Sequence, residues 1–85
     1  MNEQIIAQTI LRKLMYLGKW GGSHTSVDNL PKGFPKHLRG DVKDIAKDLI
    51  KKNLLLAKPT SYGLEVSLNP EKKKEIETIV SSFKE

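Results

Sequence analysis

The N-terminal part of the chain contains one strong hydrophobic pattern. Apolar residues recur at helical spacing through residues 2–17 and predict one buried stripe, made of Ile6, Ile10, Leu14 and Leu17 and widened by Ile5, Leu11 and Met15. Gly18 is suited to end this helix. Turn-forming residues follow, so we expect only a very short strand or an extended segment at 24–26 and a short helix at 27–30. Phe34 is predicted to be a core residue.

A second amphipathic helix is predicted over residues 36–53, KHLRGDVKDIAKDLIKKN. Its apolar side is made of Leu38, Val42, Ile45, Leu49 and Ile50. The opposite side is mostly basic. Gly40 weakens the start of the helix but permits close approach, either by a packing neighbour in the chain or by the backbone of a partner. Asn53 is suited to cap the C-terminal end.

The remaining pattern predicts a hairpin and a last helix. Residues 54–57 are apolar, residues 64–68 alternate between apolar and polar, and the turn formers Pro-Thr-Ser-Tyr-Gly separate them at 59–63. Asn69 and Pro70 are typical of a helix start, with Asn as the cap and Pro at the first helical position. The apolar face of this last helix is predicted to contain Ile76, Ile79, Val80 and Phe83.

Length and composition indicate one globular domain over residues 1–85. The sequence has no cysteine, which excludes disulfides and thiolate metal sites. It also has no apolar run long enough to span a bilayer. The N-terminal residues lack the basic and then apolar pattern of a signal peptide, so we expect a cytoplasmic protein with no membrane partner.

The basic charge is concentrated in one segment. Residues 32–58 hold eight basic and three acidic side chains, which accounts for the whole net charge of +5. A localised basic field attracts polyanions such as nucleic acids. The alternative is a lysine-rich surface that only keeps the protein soluble.

The predicted order of helix, short helix, basic helix, hairpin and helix resembles the winged helix-turn-helix domain, with TSVDNLPKGFPKHLRGDVKDIAKDLIKKNLLLAKPTSYGLEVSL as its core. Within it, GFPKHLRGDVK and KPTSYGLEVSLNP resemble stretches of small stand-alone archaeal winged-helix proteins, most of them uncharacterised. The resemblance implies an α+β fold with a three-helix core, a two-stranded wing and a C-terminal helix. It also implies non-catalytic binding of nucleic acid, with transcription regulation as one use.

The resemblance further implies two groups of contact residues, because the third helix of such domains usually enters the major groove and the wing touches the backbone or minor groove. The helix and the turn before it contribute Lys32, Lys36, His37, Arg39, Lys43 and Lys47. The wing contributes Lys58, Thr60, Ser61 and Tyr62. Many DNA-binding wings have basic tips, whereas this tip is Thr-Ser-Tyr. Tyr62 is therefore expected either to stack on a base or sugar, or to close the hairpin onto the helix.

Catalytic and metal-binding patterns are not evident in the sequence. His24 lies in a Gly-rich link without a positioned partner, and two histidines without cysteine are not a metal signature. Asp41, Asp44 and Asp48 are expected to pair with neighbouring lysines of their helix. We therefore expect that the protein is not an enzyme and that it binds no cofactor, no metal and no small-molecule substrate.

Three kinds of partner stay open at the level of sequence. Duplex DNA is favoured over RNA or the ribosome, and the third alternative is a protein–protein module of a nucleic-acid machine. The oligomeric state is also open, with a monomer favoured because the apolar face of the last helix is narrow.

Overall fold

Three α-helices and a three-stranded antiparallel sheet form the computed structural model, which describes residues 2–82. The helices are α1 (Glu3–Tyr16), α2 (Arg39–Lys51) and α3 (Lys73–Ser81), and the strands are β1 (Thr25–Ser26), β2 (Leu55–Thr60) and β3 (Gly63–Leu68). Short 3₁₀ turns lie at Val27–Asn29, Lys36–Leu38 and Pro70–Lys72. The predicted α+β class is confirmed, and the element order is compatible with a winged helix.

Helix α1 begins and ends with side-chain and backbone caps. The Asn2 side chain accepts a hydrogen bond from the Ile5 amide at 2.8 Å. At the other end Gly18 adopts a φ of 69°, which turns the chain away from the helix. The prediction for Leu17 was wrong, because its side chain is 48% exposed. Leu17 follows the last helical residue, so it no longer continues the stripe. The predicted place of Leu11 in the stripe is confirmed by its burial.

The segment between α1 and α2 agrees with the prediction only in part. The expected short helix is a single 3₁₀ turn, because Pro31 has no N–H to donate to the carbonyl of Val27 four residues earlier. The very short strand, one of the two alternatives expected at 24–26, is confirmed: β1 pairs with β3, with Thr25 opposite Val66. The predicted two-stranded hairpin is therefore part of a sheet ordered β1-β3-β2, in which β2 is an edge strand.

Asn69 links the residue that follows α2 to the start of the last helical segment. Asn53 follows α2 with a φ of 63°, as expected for a C-terminal cap in the left-handed region. The Asn69 side chain donates to the Asn53 carbonyl at 2.8 Å and accepts from the Glu71 amide at 3.1 Å. The predicted capping role of Asn69 is confirmed, and α3 follows one 3₁₀ turn later.

The core lies between α1, α2 and the sheet, and α3 packs against α1. Phe34 is buried in it, as predicted. The buried Gln8 side chain joins α1 to the C-terminal part of the chain by donating to the Ile79 carbonyl at 3.0 Å and to Ser82 Oγ at 3.1 Å. Phe83, which was predicted to belong to the apolar face of the last helix, lies outside the described residues.

Candidate nucleic-acid interface

The exposed surface of α2 carries a row of basic residues and a separate row of acidic residues, both running along the helix axis. Residues four apart lie on the same side of a helix, so Arg39, Lys43 and Lys47 form one row, here called the basic edge. Asp44 and Asp48 form a second row, here called the acidic edge. The side of the helix that was predicted to be mostly basic therefore carries an acidic row as well.

The basic edge borders a shallow depression next to the 3₁₀ turn at Val27–Asn29. Lys32, Arg39 and Lys43 meet there, together with Asp28 and Pro31. Lys43 Nζ lies 3.1 Å from an Asp28 carboxylate oxygen, and their side chains are 51% and 71% exposed. An ion pair so accessible to water contributes about 0–1 kcal/mol to stability. Lys43 is therefore partly neutralised, but a stronger anion can displace its partner.

Lys13 supports this surface from α1, and sequence reasoning missed it. Its Nζ donates to the Lys32 carbonyl at 3.0 Å and to the Asn29 carbonyl at 3.3 Å. These bonds hold the turn that carries Lys32 against the first helix. No local sequence signal points to this role, because Lys13 is 19 positions away from Lys32.

The N-terminal end of α2 adds further positive charge. Lys36 and His37 are exposed on the 3₁₀ turn that leads into the helix. The N-terminus of α2 receives no hydrogen bond from a capping side chain, and the helix dipole places partial positive charge there. The contact residues predicted on the helix and the turn before it are thus all exposed, and most lie near this end.

The acidic edge lies on a different surface. Asp44 and Asp48 line a groove between α1, α2 and α3 whose rim also includes Glu3 and Glu75. The expected pairing with a lysine of the helix is confirmed for Asp48, whose carboxylate lies 3.0 Å from Lys52 Nζ. This groove has the wrong sign of charge for a polyanion.

The contact residues predicted on the wing form a second group, on β2 and the turn to β3. Lys58 lies directly opposite Glu65 in the strand register, so the wing has little net charge. The Thr60 hydroxyl accepts from the Tyr62 amide at 3.2 Å and donates to the Gly63 carbonyl at 2.7 Å. Tyr62 is 98% exposed, so the expectation that it closes the hairpin onto the helix was wrong.

The histidines and carboxylates of residues 2–82 do not form a group of three that could hold a metal ion. His24 Nδ1 lies 4.0 Å from a Glu65 carboxylate oxygen on the sheet, away from the basic edge. Within the same range, no helix is long and apolar enough to cross a membrane.

Comparisons with protein-family models, curated proteins and solved structures find no match to this chain. The functional interpretation therefore depends on the arrangement of its own side chains.

Proposed function

We propose that this chain is a winged-helix protein that binds duplex DNA without catalysing a reaction. In this assignment the 3₁₀ turn at Val27–Asn29 takes the place of the short second helix, α2 is the recognition helix, and β2 with β3 forms the wing. The observation that carries the proposal is the division of α2 into a basic edge and an acidic edge, because it presents one coherent cationic surface to a ligand.

Phosphate contacts supply most of the affinity in this proposal. The basic edge, Lys32 and Lys36 neutralise phosphates, and each neutralised phosphate contributes about 0.9 to the slope of log affinity against log salt concentration. The N-terminal end of α2 makes the closest contact, since the basic side chains and the positive end of the helix dipole coincide there. Such contacts position the protein without selecting a sequence.

Single alanine substitutions test this assignment. Arg39→Ala is expected to weaken duplex binding about tenfold, because a hydrogen bond between charged groups is lost, and to lower the salt slope by about 0.9. Lys43→Ala is expected to weaken binding with a smaller change in slope, because Asp28 already neutralises part of its charge. Fluorescence anisotropy with a random duplex at several salt concentrations measures both quantities.

Lys74→Ala is the matched control, since it removes the same charge from α3. It is expected to leave duplex affinity nearly unchanged. Unchanged affinity for both Arg39→Ala and Lys43→Ala would reject α2 as the recognition helix.

RNA is the second candidate, favoured by the uncharged wing with its exposed Tyr62. Aromatic side chains of RNA-binding proteins stack on unpaired bases. Competition between a random duplex DNA and a structured RNA at equal salt separates the two, and a clear preference for RNA would replace DNA as the ligand.

A further inference from the structure

Tyr62 is an aromatic side chain placed at the end of the wing with almost its whole surface in water. Its exposed fraction is 98%, compared with partial or complete burial of Trp20 and Phe34. Burying an aromatic ring is one of the larger favourable contributions available to a side chain. The fold makes no use of this ring, so it is available to a ligand.

The backbone around Tyr62 is held in place. Strands β2 and β3 stay in register as far as the pair of Thr60 and Gly63, and the Thr60 hydroxyl bridges the turn by its two hydrogen bonds. Gly63 has a φ of 127°, which residues with a Cβ rarely adopt. The ring is thus presented on a fixed turn, and only its two side-chain torsions lose freedom on binding.

The tip does not resemble a phosphate-binding element. Residues 59–64 contain no charged side chain, and the nearest lysine, Lys58, faces Glu65 across the strand pair. Hydroxyl and amide groups can also contact phosphates, but the Thr60 hydroxyl and the Tyr62 amide are already hydrogen-bonded within the turn. The main group available to a ligand at the tip is therefore the aromatic ring of Tyr62 and not a cation.

A continuous duplex has no open base face for this ring, because every base is covered above and below by its neighbours. Open faces occur where a strand is unpaired or where a duplex ends. We propose that Tyr62 stacks on such a base, so that the preferred ligand is a duplex bordered by single-stranded nucleic acid. The basic edge then holds the paired part. This inference rests on the proposed function and narrows its ligand class.

The experiment compares two circular DNA ligands of equal paired length. One is a fully paired circle without ends, here called the closed duplex, and the other is the same circle interrupted by a single-stranded gap, here called the extended ligand. Tyr62→Ala is expected to weaken binding to the extended ligand by about 5- to 150-fold, the range measured for stacking of one base. Its affinity for the closed duplex is expected to stay unchanged. The full chain is used throughout, and anisotropy gives both affinities.

Three further variants separate stacking from other effects. Tyr62→Phe keeps the ring and is expected to bind the extended ligand within about twofold of the unchanged chain, whereas Tyr62→Leu keeps apolar bulk without the ring and should behave like Tyr62→Ala. Tyr16→Ala is the matched control, because Tyr16 is also exposed, at 89%, but lies on α1. It is expected to change neither affinity.

The outcomes for this inference and for the proposed function are distinguishable. Equal loss on both ligands, or no loss on either, would overturn base stacking by Tyr62. Arg39→Ala measured on the same two ligands tests the basic edge separately and should weaken both. Loss with Tyr62→Ala but not with Arg39→Ala would support stacking while rejecting the assignment of α2.

Discussion

At the residue scale, the structure decides between the two explanations that the sequence left open for Gly40, a packing contact within the chain and close approach of a partner. A glycine inside a helix is less favourable than alanine by about 1 kcal/mol. Packing against a neighbour would explain it, but a Cβ built at Gly40 has no atom within 4 Å outside its own helix segment. The packing alternative is therefore wrong. Gly40 lies beside Arg39 near the N-terminal end of α2, where a ligand backbone can come close.

Gly40→Ala is expected to separate stability from binding. The free energy of unfolding, measured by urea denaturation, should rise by about 1 kcal/mol because alanine favours the helix. Duplex affinity should fall severalfold, because the added methyl group keeps the phosphate backbone away.

Gly22→Ala is the control for binding, since its Cβ would also point into open space but lies in the loop before β1. It is expected to leave the affinity unchanged. Higher stability with undiminished affinity for Gly40→Ala would show that the ligand does not approach this turn of α2.

At this scale, interactions between residues close together in the sequence could be predicted, whereas interactions between distant residues could not. The cap at Asn69 and the burial of Phe34 follow from local sequence, and both were predicted. The position of Lys13 was not, because its partners are carbonyls of a turn brought close only by the tertiary fold. The absence of a packing neighbour at Gly40 also depends on the tertiary fold, so it could not be predicted from the sequence.

At the element scale, Asn69 couples the end of α2 to the start of the last helical segment. It is mostly buried, and its amide makes one bond to each of the two segments. Because β2 and β3 lie between Asn53 and Asn69 in the chain, this residue also fixes where the hairpin leaves the core. The wing is thus anchored at its base as well as shaped at its tip.

Substitutions at Asn69 should show two separable contributions to stability. Asn69→Ala is expected to lower the free energy of unfolding by about 2–3 kcal/mol, because the cap is lost and the Asn53 carbonyl loses its donor. Asn69→Ser keeps a capping oxygen and should lose about 1 kcal/mol less. Urea denaturation measures both, and equal losses would show that the cap contributes nothing.

The elements themselves were predictable in proportion to their length. The repeated apolar spacing of α1 and α2 identified both helices, and alternation over 64–68 identified β3. Strand β1 has only two residues, too few for any periodicity, and its pairing with β3 is set by tertiary contact. The sequence predicts a helix at 27–30 where the structure has a 3₁₀ turn, because Ser26, whose side chain accepts from the Asp28 amide, is a residue that caps both.

At the scale of the whole molecule, charge is distributed unevenly around the protein. Arg39 and Lys43 border the depression beside Asp28, whereas Asp44 and Asp48 line the groove between α1, α2 and α3. A ligand seated in the depression therefore contacts the basic edge and not the acidic edge. This separation was predictable from the spacing of Arg39, Lys43 and Lys47 against that of Asp44 and Asp48.

Neutralising one aspartate on each side tests this distribution. Asp28→Asn should raise duplex affinity about threefold to tenfold and increase the salt slope by less than about 0.9, because the part of the Lys43 charge that Asp28 neutralises becomes free to bind a phosphate. Asp44→Asn changes the net charge equally but lies on the acidic edge, so it should change affinity less than twofold at physiological salt. An equal gain from both would mean that only net charge governs binding.

The two edges of the sheet have a consequence for self-association. An open strand edge invites another chain to add a strand, and repeated addition leads to fibrils. Here β1 offers only two residues on one edge, and on the other edge Pro59 interrupts the row of N–H donors of β2 beside the cation of Lys58. Both sides thus resist strand addition, which allows the wing to project an exposed tyrosine without becoming a template for aggregation.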